Sequence, residues 1–187
     1  MHNELLDVEK RRKIGMNMAT NQKMSTSDDF TIWNSKTIAT LIICILIPIV
    51  VGAVSALLTQ DAMGSFSLMN KPPFAPPAWL FPIAWTFLYA LMGGASFFIY
   101  ESTSPARDMG LWIYVVQLAV NFAWSLIFFR LDAYAFAAVW LAALIVLIFA
   151  LLVNTAKTAP VAMLMLVPYA AWCCFALYLN IGIVILN

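Results

Sequence analysis

The sequence predicts an all-α fold: an integral membrane bundle of five transmembrane helices. Three observations carry this. Five apolar stretches, residues 38–58, 79–100, 111–129, 133–153 and 161–186, contain no Asp, Glu, Lys, Arg or His. Each matches the ~20 residues that a helix needs to cross ~30 Å of hydrocarbon at 1.5 Å per residue. The chain is 64% hydrophobic and 10% charged, with a mean hydropathy of +0.90. A soluble domain carries about 25% charged residues and needs them to cover its surface. Three of the four connections between the stretches are short, which makes sequential helices antiparallel neighbours.

Residues 1–36 form a polar leader, expected to be mostly disordered, ahead of a transmembrane domain over 37–187. The leader holds the basic run Lys10-Arg11-Arg12-Lys13 beside Glu4, Asp7 and Glu9, and it lacks an apolar core of signal-peptide length. Trp33 precedes span one, where an interfacial anchor stands. With five spans, eight of the ten Lys and Arg residues fall on the side of the leader. The N-terminus is therefore expected to face the cytoplasm. The membrane is expected to be a bacterial envelope membrane or, in a eukaryote, the mitochondrial outer membrane.

Span one is followed by the longest connection, residues 59–78. It contains Lys71-Pro72-Pro73-Phe74-Ala75-Pro76-Pro77, four prolines in six residues. Proline fixes φ and removes backbone donors, so this loop is extended and stiff. With Phe66, Leu68, Met69 and Phe74 it reads either as a lid on the bundle or as a plain interfacial loop.

Within lipid, leucine gains nothing by facing leucine, so polar and large amphipathic side chains mark helix contacts or cavities. Span two carries Trp85, Tyr89, Met92 and Ser96 on one face. Span three carries Gln117, Asn121 and Trp124 at i, i+4, i+7, with Ser125 beside them. Span five carries Tyr169, Trp172, Cys173, Ala176 and Asn180. Spans one and four offer no comparable polar stripe; Trp140 is the exception in span four. The stripes predict either a pocket walled by spans two, three and five, suited to a large planar apolar ligand with polar edges, or hydrogen-bonded helix contacts. Trp79 and Trp112 sit at span ends as belt anchors. Pro48, Pro82 and Pro168 lie inside spans, where proline kinks a helix. The pairs Gly52-x3-Ala56, Ala90-x3-Gly94 and Ala119-x3-Ala123 permit close helix approach within a bundle or between protomers.

Several chemistries lack residues. The net charge of +1 gives no electrostatic case for nucleic acid. The one histidine, His2, lies in the leader, so no metal site and no haem ligation by histidine is expected. Cys44, Cys173 and Cys174 fall within spans and read as apolar thiols. No paired carboxylates, no nucleophile with its base and no phosphate loop occur, and an intramembrane acid for proton coupling is missing.

Three blocks resemble the tryptophan-rich sensory protein / translocator protein family, also called peripheral benzodiazepine receptors. They are Lys71-Pro72-Pro73-Phe74-Ala75-Pro76-Pro77 with Phe81, Trp85 and Leu88-Tyr89; Gln117-Leu118, Asn121, Trp124-Ser125 and Phe128-Phe129; and Val167-Pro168-Tyr169, Trp172, Phe175-Ala176 and Tyr178-Leu179-Asn180. The resemblance covers about residues 45–187. It implies a five-helix bundle, usually a homodimer, that binds porphyrins and isoquinoline- or benzodiazepine-type compounds under the first loop. It implies no required cofactor, the porphyrin being a ligand. By motif position Trp85, Asn121, Trp124, Trp172 and Ala176 line the pocket, with Phe66 and Phe74 from the lid; Tyr89, Gln117 and Tyr169 complete the candidate set. Some bacterial members are reported to degrade porphyrins in light and oxygen, which would make Trp85 and Trp172 catalytic here. Phe74 stands where the family usually has Trp, Leu177 replaces a common Thr, and no basic residue follows Tyr178 as the sterol-recognition pattern requires. The expected function is porphyrin binding for transport, buffering or signalling. Porphyrin degradation is the alternative, and a sterol-binding or purely interaction role the second.

Overall fold

The computed structural model describes residues 34–61 and 68–187, together with Arg12 and Met16. The rest of the leader up to Trp33, and Phe66 in the first loop, lie outside the described residues. Among the described residues five long helices follow in order: α1 Ser35–Thr59, α2 Leu80–Tyr100, α3 Arg107–Phe129, α4 Tyr134–Thr158 and α5 Pro160–Leu186. All five are long and apolar enough to span a bilayer. The chain is an integral membrane protein, and helices suit it because lipid supplies no partners for open backbone groups.

The helices outrun the apolar stretches where polar ends reach the headgroups. α3 takes in Arg107 and Asp108, and α4 continues through Asn154 and Lys157. Asp108 lies in the first turn of α3, where the helix dipole favours an acid. α3 closes with the Arg130 N–H on Leu126 O at 2.9 Å. Asp132, at φ 50°, then turns the chain into α4. Pro160 opens α5 at its first turn, where a missing N–H costs nothing. Pro82 likewise falls in the first turn of α2, so only Pro48 and Pro168 interrupt helix interiors.

The compact unit comprises Leu41–Asn187. Within it α4 packs most closely on α5, α3 on α4, and α2 on α5. Met92, Ile99, Leu141, Leu144, Ile148, Leu151, Leu166 and Ile183 are fully buried between these pairs. α2 and α3 are joined by a short connection yet approach each other sparsely. The buried faces have lipid-like neighbours on both sides, so dispersion and hydrogen bonds hold them. The Trp140 indole donates to Val120 O across α4 and α3 at 2.9 Å. Asn180 of α5 reaches α4 with its amide turned to donate to Tyr134 O (2.9 Å) and accept from the Ala138 N–H (3.2 Å). At the far end Ser102 donates to Thr158 O (2.8 Å) and Asn154 to Ala106 O (3.3 Å). Trp79 and Trp112 are largely exposed near helix ends, in the position of belt anchors.

The described part of the first loop is fastened to α5 rather than draped over open space. Asn70 N–H donates to Asn187 Oδ1 (3.1 Å), Asn187 Nδ2 returns a bond to Asn70 O (3.0 Å), and Tyr178 donates to Pro73 O (2.9 Å). Pro72 sits so close to Gly182 that a Cβ there would lie 2.5 Å from its ring.

Candidate functional site

The sparse seam between α2 and α3 holds a cavity of about 140 Å³. α2 contributes Phe81, Trp85 and Tyr89, and α3 contributes Asn121, Trp124, Ser125 and Phe129. The third wall is α1, through Gly52, Ser55, Ala56 and Thr59. This corrects the expected walls: α1 stands where α5 was expected. The stripe on α1 was present in the sequence. Pro48, Gly52, Ser55 and Thr59 follow i, i+4, i+7, i+11, and Pro48, Ser55 and Thr59 are the buried residues of that helix. Small residues give a weak signal, and Gly52 works by lacking a side chain. A Cβ at Gly52 would lie 2.3 Å from the Tyr89 ring, so glycine is what lets that ring pack against α1.

Aromatic faces dominate the walls. Trp85 lies 5.5 Å from Tyr89 and 6.3 Å from Trp124, both tilted, and meets Tyr169 edge-on at 6.4 Å. Trp124 continues to Phe128 at 5.4 Å. These spacings are those of favourable offset and edge contacts.

Beneath the aromatic walls runs a buried hydrogen-bond relay. Tyr89 donates to Asn121 Oδ1 (2.9 Å), Asn121 Nδ2 donates to the Tyr169 hydroxyl (3.0 Å), and Tyr169 donates to Gln117 Oε1 (2.8 Å). Gln117, Asn121 and Tyr169 are at most 1% exposed. The relay ties α2, α3 and α5 together and fixes the amide of Asn121 at the cavity wall. Gln117 Nε2 and the indole nitrogens of Trp124 and Trp172 are buried without a partner. Orphaned donors of this kind cost about 1–3 kcal/mol each.

The ten candidate residues therefore separate. Trp85, Tyr89, Asn121 and Trp124 line the cavity. Gln117 and Tyr169 lie behind it, in the relay. Trp172 is one ring removed: it packs edge-on against Phe81 at 6.1 Å and does not itself line the cavity. Ala176 is buried in the helix packing away from it. Phe74 departs most from expectation. It is 90% exposed with φ 64°, and it does not line the cavity. The prolines around it set the turn, and a bulky residue is tolerated at positive φ only where neighbours impose it. Phe66 lies outside the described residues. Phe81, Ser125 and Phe129 join the site as lining residues.

The small-residue pairs also resolve. Gly52 meets Tyr89 and Gly94 meets Met165, both inside the bundle, whereas Ala119 is exposed on the outer face of α3. Cys173 is buried and Cys174 is exposed, so adjacent thiols face opposite environments. Among the described residues no cluster of three His, Cys, Asp or Glu could hold a metal ion.

At about 140 Å³ the cavity matches the ~150 Å³ that suffices for one benzene ring. It is smaller than the ~300–1,000 Å³ of sites that enclose larger ligands. Its walls offer flat aromatic faces, one fixed carboxamide and four hydroxyls, from Ser55, Thr59, Tyr89 and Ser125, and no carboxylate, imidazole or amine.

The sequence pattern of the TspO/MBR family matches residues 44–186. A tryptophan-rich protein TspO of Chlorobaculum tepidum is 33% identical over 156 residues, covering 82% of this chain and 99% of the relative. A translocator protein homolog of Schizosaccharomyces pombe is 40% identical over 123 residues, covering 63% and 74%. A tryptophan-rich sensory protein of Cereibacter sphaeroides is 32% identical over 132 residues, covering 71% and 81%.

Proposed function

The chain belongs to the TspO/MBR family, and from that premise we propose that it binds porphyrins and similar planar lipophiles in the cavity between α1, α2 and α3. Binding would serve transport, buffering or signalling. The observation that carries this reading is the convergence of Trp85, Tyr89, Trp124 and Asn121 on one space within the membrane. Indole and phenol faces suit stacking on a flat ring system, and the Asn121 amide, held by two tyrosines, suits a polar edge. No group is needed beyond the chain's own residues.

The test is a thermal-shift screen of the detergent-solubilised protein against protoporphyrin, haem, a sterol and an isoquinoline carboxamide. A ligand that binds the folded state alone raises the melting temperature as its concentration passes Kd. A rise with protoporphyrin and none with the sterol is expected. No rise with any of the four would leave the stripes as helix contacts alone.

A second reading, oxidative breakdown of bound porphyrin in light and oxygen, draws support from the position of Trp85 among Trp124, Tyr89 and Tyr169, all within 6.4 Å. Trp172 has weaker support, since Phe81 stands between it and the cavity. The porphyrin-binding reading also includes a homodimer, for which the outward-facing Ala119 of α3 offers a close-approach surface. It places the N-terminal side in the cytoplasm, following the bias of basic residues.

A further inference from the structure

At about 140 Å³ the cavity is too small to take in a tetrapyrrole unless one wall moves, and the walls are not equally held. α2 and α3 are tied to α5 by the relay through Tyr89, Asn121, Tyr169 and Gln117. α1 has no share in it. Only 11% of its most apolar window is buried, against 28–50% for the other four helices.

The contacts of α1 fall into two groups. One is a backbone contact with α2. A Cβ at Gly93 would lie 2.4 Å from Ile45 Cα and 2.8 Å from Cys44 O, so the two helices touch main chain to main chain there. Cys44 O is also the carbonyl that residue 48 would normally bond. Pro48 has no N–H to give it and its ring crowds that oxygen. The helix is therefore weakened one turn beyond the point where it is gripped. Proline is a common site of sharp bending in helices.

The other group lies past Pro48, where the Tyr89 ring packs on Gly52 and Ser55 and Thr59 are buried, but where few polar bonds reach α3. The Ser55 and Ser125 hydroxyls share one hydrogen bond, and Arg130 Nη1 donates to Leu58 O at 3.2 Å. On the outer side of this seam an apolar groove of about 370 Å³ runs between Val54 of α1 and Ala119 and Phe122 of α3.

We propose that residues 50–59 of α1 form a gate that pivots at Pro48 on the Gly93 contact, and that parting of the Ser55–Ser125 latch admits a planar lipophile sideways from the bilayer. The proposal rests on the binding reading above and adds the route and the moving part. The outer groove gives a membrane-dissolved ring system an apolar approach to the latch. The relay keeps the opposite walls and the Asn121 amide in place while the gate moves. The geometry matches a hinge that concentrates rotation in a few residues while packed elements stay rigid.

The test is a reversible lock. Ser55→Cys with Ser125→Cys places two thiols where the hydroxyls now touch, within disulfide reach. The double variant is purified in phosphatidylcholine nanodiscs and titrated with protoporphyrin IX by tryptophan fluorescence quenching, oxidised and then reduced. Single-cysteine variants control for Cys44, Cys173 and Cys174. Oxidation is expected to weaken apparent affinity about tenfold or more, because the binding-competent open state is removed, and reductant to restore it. Equal binding by the oxidised and reduced forms overturns the gate. Pro48→Ala gives an independent measurement: restoring the bond to Cys44 O stiffens the pivot and should slow protoporphyrin association about threefold or more. Association at the wild-type rate overturns the gate whatever the cysteine pair does. Failure of the wild-type protein to bind protoporphyrin is a different result, and it removes the binding reading itself.

Discussion

The Tyr169 hydroxyl donates to Gln117 Oε1 at 2.8 Å, and neither residue has any exposed surface. The same hydroxyl accepts from Asn121, so one phenol fixes two amides of α3 from α5. In hydrocarbon there is no water to replace it.

Tyr169→Phe keeps the ring and removes that oxygen. Asn121 Nδ2 and Gln117 Oε1 both lose their partner. An ordinary interhelical bond in a membrane is worth about 0.6 kcal/mol, whereas an orphaned buried group costs about 1–3 kcal/mol. The second effect dominates, so destabilisation should exceed that of a single lost bond. Thermal unfolding in detergent checks it, and a melting temperature equal to wild type would show that the relay carries no load.

Gly93→Ala and Gly94→Ala are neighbours with opposite expectations. At Gly93 the new Cβ meets Ile45 Cα at 2.4 Å, which is backbone and cannot turn aside. At Gly94 it meets the tip of Met165, which can. Overpacking of the first kind costs about 1–3 kcal/mol. Melting of the two variants side by side should place Gly93→Ala well below Gly94→Ala; the reverse order would mean that α1 does not rest on α2 at this point.

Phe74→Ala should change little. The side chain is 90% exposed and outside the cavity, and surface substitutions of this kind usually stay within about 0.5 kcal/mol. Protoporphyrin affinity within about twofold of wild type is expected, an interval that corresponds to the same energy scale. A large loss would mean that Phe74 turns inward on binding and acts as the lid its motif suggests.

The five spans were legible because hydrocarbon thickness and helix rise leave little freedom once charges are absent for twenty residues. The stripe of Gln117, Asn121 and Trp124 was legible for a related reason: amides in lipid must face protein. Two things were not. The wall supplied by Gly52, Ser55 and Thr59 is faint in the sequence because glycine and small hydroxyls stand out weakly among Ile, Val and Leu, although their spacing is regular. The stripe of α5 is buried as expected, yet it serves the relay and the packing on α4 instead of a ligand wall. Trp85 and Trp172 look alike along the chain. Their difference comes from the rotation of each helix against its neighbours, which periodicity within one helix does not encode.

That difference supplies the decisive comparison. Trp85 lines the cavity and contacts Tyr89, Trp124 and Tyr169, whereas Trp172 lies behind Phe81. Protoporphyrin IX should be titrated into wild-type, Trp85→Ala and Trp172→Ala protein, with saturation followed by absorbance of the bound porphyrin. Loss of one stacking face of about 1.4 kcal/mol corresponds to about tenfold in Kd, expected for Trp85→Ala, with a much smaller change for Trp172→Ala. Wild-type affinity in Trp85→Ala, or a larger loss in Trp172→Ala, would contradict the cavity between α1, α2 and α3 as the binding site.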